Sequence, residues 1–232
     1  MGQNVLGDNI GFVELVDSLG DDLSIVNSAR VSFQKESREL DYKDERLIKY
    51  LIDNNHSSPF EHVVFTFNIK APLIVERQWN RHRTWKYWSL NEVSRRYTSE
   101  EIEFYIPMSL RKQSTGNRQM STDEEVLHNN DFVRALHLSS RSALRLYDDM
   151  IAGGVARELA RLALPQSMYV KFYGTVDLSN LFHFLELRRH PHSQLEIRKY
   201  AEAIEGMLMT KVPVAYKIWD TIMRDKYQEE EV

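Results

Sequence analysis

Residues 63–70, VVFTFNIK, set Val63, Phe65, Phe67 and Ile69 on one side of an extended chain and Thr66, Asn68 and Lys70 on the other. A period of two with so apolar a face marks a strand buried on one side. Such a strand needs neighbours in a sheet and helices over its apolar face. Pro72 follows almost at once, and its fixed φ and missing N–H suit the start of a helix, expected over residues 73–83.

The rest of the chain supplies the partners. Residues 11–17 (GFVELVD), 103–107 (EFYIP) and 167–176 read as further strands. Residues 22–29 read as a helix with Leu23, Val26 and Asn27 inward, and residues 41–55 as a helix that Asp41 caps and Leu47, Ile48, Leu51 and Ile52 bury. Helices are also expected at 132–151, 155–164, 178–189, 194–211 and 213–226, and a mobile loop at the Ser/Thr/Gln/Asn-rich stretch 111–125. Strands and helices alternate irregularly, which predicts an α/β (α+β) fold, a mixed or antiparallel sheet flanked by helices. With 232 residues and no linker or repeat, one domain over residues 1–232 is expected.

Composition excludes several chemistries. There is no cysteine, hence no disulfide, Cys-ligated zinc, iron–sulfur cluster or thiolate nucleophile in this chain. The formal net charge of −4 argues against a strongly basic nucleic-acid binder. No apolar run approaches a membrane span, and MGQNVLGDNIGF is unlike a secretory leader, so a cytoplasmic location is expected. No Gly-rich dinucleotide loop or P-loop is present. His56 with His62, and His190 with His192, lack a third ligand at a recognised spacing, so no metal site is expected.

Against that acidic background, residues 77–97 (RQWNRHRTWKYWSLNEVSRRY) hold five arginines and a lysine against the single acid Glu92. Arginine forks pair well with phosphate, and Trp79, Trp85, Tyr87 and Trp88 offer faces for a planar ring. Arg77 and Arg81 fall one helical turn apart, as do Arg157 and Arg161. From residue types alone, the segment suits a solvated basic surface, a single-stranded nucleic-acid groove or an anionic small-molecule site.

The order of residues narrows the choice. Arg81-His82-Arg83, then Ser89-Leu-Asn91-Glu92-Val-Ser94-Arg-Arg96-Tyr97, resembles the signature of the flavin-dependent thymidylate synthases. The resemblance extends through GFVELVDSLG, SARVSF, HSSPFEHVVFTFNIKAP and ERQW upstream, and EFYIP, VARELARLALP and FLELRRHPHSQLEI downstream. It implies a homotetramer with active sites where subunits meet, methylating dUMP to dTMP with FAD, NADPH and methylenetetrahydrofolate. It further implies that Ser58, Arg81, His82, Arg83, Glu92, Asp177, Ser179 and His183 meet FAD. Gln78, Arg81, Glu92, Ser94, Arg96, Arg161 and Arg188 would hold dUMP, with Arg188 acting on the uracil and Ser94 as a hydrogen-bond donor. A flavoprotein oxidoreductase without methyl transfer is the alternative enzyme.

Two positions depart from the family pattern. Ten residues separate Arg83 from Ser94 where seven are usual, which places a three-residue insert within residues 84–88, expected as a loop at the mouth of the site. Asp177 and Ser179 stand where Asn or Arg is common, and a carboxylate offers only acceptors.

Overall fold

A computed structural model describes residues 3–82, 89–93, 101–116 and 120–230. The strands β1 (Gln3–Asn4), β2 (Phe12–Leu19), β3 (Val64–Pro72), β4 (Ser89–Glu92) and β7 (Tyr169–Asp177) form one sheet in the order β1-β2-β3-β7-β4. Every pairing in it is antiparallel. The central pair β3–β7 runs without a bulge from Val64 opposite Asp177 to Pro72 opposite Tyr169.

The alternation in β3 sorts its faces as expected. Val63, Phe65, Phe67 and Ile69 are fully buried, whereas Thr66 hydrogen-bonds Thr175 across the sheet at 3.0 Å and Lys70 pairs with Glu103. Helices α6 (Leu178–Arg189) and α7 (Leu195–Lys211) contribute Leu181, Phe184, Leu185, Tyr200 and Ile204 to the same core. Each large apolar side chain so enclosed contributes about 1.5–3 kcal/mol.

Helices α1 (Asp22–Arg30), α2 (Tyr42–Asp53) and α8 (Pro213–Glu230) complete the layer. Asp41 caps α2 as expected, accepting from Lys43 N at 2.7 Å and Asp44 N at 3.0 Å. In α1 the buried residues are Asp22, Ile25 and Val26, with Leu23 only half-buried. Asp22 turns inward because its carboxylate accepts from Val214 N and Ala215 N, capping α8 at 2.9 and 2.8 Å.

Four segments differ from the sequence-based expectation. Helix α3 (Leu73–Trp79) stops short of residue 83, so Arg81 lies beyond it and shares no helix face with Arg77. Residues 111–125 carry the hairpin β5 (Arg111–Gln113) and β6 (Ser121–Glu125), whose strands are polar on both faces and give no alternation signal. The helix expected at 155–164 is one turn, α5 (Arg157–Ala160), then a 3-10 turn Arg161–Ala163. Leu164 is extended ahead of Pro165, which disfavours a helical conformation there and curtails the element. Residues 103–107 make a single bridge, Phe104 opposite Met168.

Helix α4 (Asn129–Ala152) is the outlier of the fold: of its 24 residues only Asn129, Ser140 and Tyr147 are buried. Phe132, Leu138 and Leu146 are exposed on it, beside the exposed Leu159 and Leu162 of the α5 turn.

Candidate functional site

The site grows from two junctions that have no linker. β3 passes through Pro72 straight into α3, and β7 passes through Asp177 straight into α6. Because the strands are antiparallel, the helices start at opposite ends of the pair, and their last turns meet. There Arg188 Nη2 donates to the Gln78 carbonyl oxygen at 3.0 Å, an acceptor it shares with the backbone N–H of Arg81 at 3.3 Å. Arg188 Nε donates to His82 Nε2 at 2.9 Å.

That bond requires His82 to be an acceptor, hence neutral. Burial first, then the electrostatic influence of Arg188 and His183, push its pKa down to about 4. Its ring meets His183 edge-on at 6.2 Å and Phe184 at 5.0 Å. Beneath it Trp79 stacks on Phe184 at 4.9 Å and meets Tyr200 edge-on. His183 Nδ1 stands 3.9 Å from Glu186, and Lys226 of α8 also pairs with Glu186. His183 first and then Lys226 outweigh burial and hold the Glu186 carboxyl down at about 2.

Two cavities open on this corner and share Glu186 and Lys226. The first, about 360 Å³, is lined by Ser57, Ser179, His183 and the stacked pair Phe182–Trp219, whose rings lie 4.8 Å apart at 2°. Hydroxyl and imidazole groups around an aromatic wall fit an uncharged planar heterocycle. The second, about 460 Å³, is lined by Gln78, Arg188, His192, Gln194 and Tyr227. A guanidinium that, among the described residues, is held by neutral acceptors suits an anionic or electron-rich ring edge.

The structure therefore brings Gln78, His82, His183 and Arg188 together, with Ser179 on the first cavity and Ser58 next to its Ser57. Asp177 spends its carboxylate on α6, accepting from Asn180 N at 2.9 Å and from the Asn180 side chain; burial raises its pKa. Arg81 is exposed just past α3. Glu92 is exposed at the end of β4, opposite Phe172, and raises the pKa of the buried Glu76 in second place to burial. Arg161 is exposed on the 3-10 turn against α4 and lines neither cavity. Arg83, Ser94, Arg96 and the insert at 84–88 lie outside the described residues.

Sequence reasoning missed Glu186, Lys226, Tyr227 and Gln194, which reach the corner through contacts across 40 (Lys226–Glu186), 41 (Tyr227–Glu186) and 116 (Gln194–Gln78) positions of the chain. His190 and His192, noted as a pair, meet edge-on at 4.5 Å. Among the described residues no three His, Asp or Glu side chains gather as metal ligands.

The family model for the thymidylate synthase complementing protein matches residues 14–214. The chain is 45% identical to the flavin-dependent thymidylate synthase of Thermus thermophilus over 210 residues, covering 90% of this chain and 76% of that protein. It is 44% identical to that of Treponema denticola over 209 residues, covering 88% and 77%. Among solved structures, the UMP/dUMP methylase PolB from Streptomyces cacaoi bound with 5-Br dUMP superposes with a TM-score of 0.81 at 35% identity, covering 91% of this chain and 95% of that one.

Proposed function

The chain belongs to the thymidylate synthase complementing protein family, and from that premise we propose that it is a flavin-dependent thymidylate synthase. It methylates dUMP to dTMP, with methylenetetrahydrofolate as carbon donor and NADPH-reduced FAD as hydride donor. The observation that carries this reading beyond the family match is the α3–α6 corner. There Arg188 is held by a neutral imidazole and a carbonyl, at the mouth of a cavity large enough for a nucleobase.

FAD, when bound and reduced, supplies the hydride that the one-carbon unit needs to become a methyl group. Ser58, His82, Ser179 and His183 would hold it beside the aromatic wall of the first cavity, with Arg81, Arg83, Glu92 and Asp177 as further contacts. Arg188 faces the uracil and stabilises negative charge as C5 becomes nucleophilic. The other route to such a nucleophile, addition of an enzyme thiolate, has no donor in a chain without cysteine. Gln78 and Arg81 bind dUMP from one subunit, and Ser94, Arg96 and Arg161 bind it from another; their contribution is affinity and orientation.

This division needs a second subunit, and the assembly we propose is a homotetramer. The exposed apolar residues of α4 and of the 3-10 turn after α5 support a subunit interface, because Leu162 is 82% exposed and Leu138 is 55% exposed in a single chain. A cytoplasmic location fits a chain in which no helix among the described residues is long and apolar enough to cross a membrane.

The test is product formation. Purified protein loaded with FAD should convert dUMP to dTMP with methylenetetrahydrofolate and NADPH. A flavin-loaded protein that consumes NADPH and makes no dTMP would overturn the reading in favour of an oxidoreductase.

A further inference from the structure

Behind Gln78 lies a chain of side-chain hydrogen bonds that leads away from the nucleotide cavity to the hairpin. Gln78 Nε2 donates to Gln194 Oε1. Gln194 Nε2 donates to Glu196 Oε2 at 2.7 Å. Arg111, on β5, donates Nη2 to both oxygens of Glu196 at 3.0 and 3.1 Å, and the Tyr105 hydroxyl donates to Oε1 at 3.3 Å. Glu196 is 5% exposed.

The polarity of this chain is fixed at its buried end. Arg111 can only donate, so Glu196 must accept. Burial works against the charged carboxylate, but the Gln194 and Arg111 hydrogen bonds more than offset it and hold the pKa below its ordinary value. A carboxylate in turn obliges Gln194 to present its NH2, which leaves the Gln194 oxygen facing Gln78. Gln78 must then answer with its own NH2, and its side-chain oxygen Oε1 is left as the acceptor for whatever enters the cavity that it lines with Arg188. An amide left to itself offers either end; this one has been given a direction.

Resting on the function proposed above, we propose that Gln194 and Glu196 are positioning residues that orient the Gln78 amide. The Gln78 oxygen then accepts a hydrogen bond from an N–H or O–H group of the bound nucleotide. A phosphate dianion, which has only acceptors, is not its partner. Arg111 ties the same relay to the β5–β6 hairpin.

Binding of dUMP to the FAD-loaded enzyme, read from the flavin absorbance, tests this alongside steady-state kinetics. Glu196→Gln allows the relay to reverse, and Gln194→Met cuts it while keeping the Arg111–Glu196 pair. Each should raise the Kd and KM for dUMP about 10-fold, the loss expected for one misdirected hydrogen bond. FAD content should be unchanged, and kcat at saturating dUMP should stay within about threefold. The double variant Gln194→Glu with Glu196→Gln restores the direction. A carboxylate at position 194 again accepts from Gln78, and the amide at 196 donates to it while accepting from Arg111. Affinity should return to within about threefold of wild type. Since Glu196→Gln and the double variant weaken the Arg111 anchor alike, a purely structural role predicts no rescue. Wild-type affinity in Gln194→Met, or a double variant no better than Glu196→Gln, would overturn the relay. Should Glu196→Gln fail to fold, wild-type dUMP affinity in Gln194→Met still overturns the relay. A wild-type holoenzyme that does not bind dUMP would instead overturn the function and the relay with it.

Discussion

Arg188 and Arg189 are consecutive on the last turn of α6, and the fold uses them in opposite ways. Neighbours on a helix point about 100° apart, so one reaches α3 and the other α7 and α8. Arg189 Nη1 lies 2.9 Å from both Glu205 and Asp220, and its guanidinium sits 5.5 Å from the Trp219 ring. Its charge is spent inside the molecule. Arg188 donates to His82 and to the Gln78 carbonyl, and among the described residues no carboxylate pairs with it. The difference teaches that a guanidinium is kept available for a ligand by being held with neutral acceptors, which fix its position without cancelling its field.

If that contrast is right, substitutions at the two positions separate chemistry from stability. Arg188→Ala should lower dTMP turnover about 10³-fold, roughly 4 kcal/mol of transition-state stabilisation, with the melting temperature within a few degrees. Near-normal product formation would remove Arg188 from the catalytic list. Arg189→Leu should cost about 3 kcal/mol of stability in urea unfolding, because Glu205 is left with the Tyr216 hydroxyl and Asp220 with the exposed Arg224, while the folded fraction keeps its turnover. A stable but inactive Arg189 variant would break the comparison.

The imidazole beside Arg188 sharpens it through pH. His82 titrates near 4 when folded against an ordinary 6.5, so between these values the unfolded chain binds a proton that the folded chain lacks. Stability should be full above about 6.5 and fall as the pH drops toward 4. Glu186, lowered from 4.5 to about 2, contributes stability that is lost only below 4.5. His82→Gln should flatten the first decline in a urea-midpoint profile and leave the second. The smallest effect belongs to an ordinary surface charge: Lys49→Ala, breaking the exposed pair with Asp53, should change stability by no more than about 0.5 kcal/mol.

What could be read from the sequence was what is decided locally. The faces of β3, the Asp41 cap of α2 and the bounds of α6 follow from periodicity and capping within a dozen residues. The hairpin at 111–125 escaped because neither of its faces is apolar. The helix expected at 155–164 shrank to one turn because Leu164 turns extended ahead of Pro165, a boundary set at the far end of the segment. The family signature pointed to Gln78, His82 and Arg188, and the structure brings them together. Nothing in the sequence pointed to Gln194, which reaches Gln78 across 116 positions. Nor could Asp177 be seen to be occupied as a helix cap, since only the geometry of Asn180 reveals it.

The unbroken register of β3 against β7 has a consequence for how this chain tolerates insertions and deletions. Nine consecutive pairs, ending directly in α3 on one strand and α6 on the other, act as a ruler between Gln78 and Arg188. One residue added to either strand would flip every side chain beyond it to the other face and carry the helix behind it about 3.3 Å along, taking its side chain out of the corner. Residues 84–88, where the sequence pattern places three extra residues, fall after α3 and before β4, outside both strands and both helices of the ruler. Length can change there without disturbing the meeting of α3 and α6.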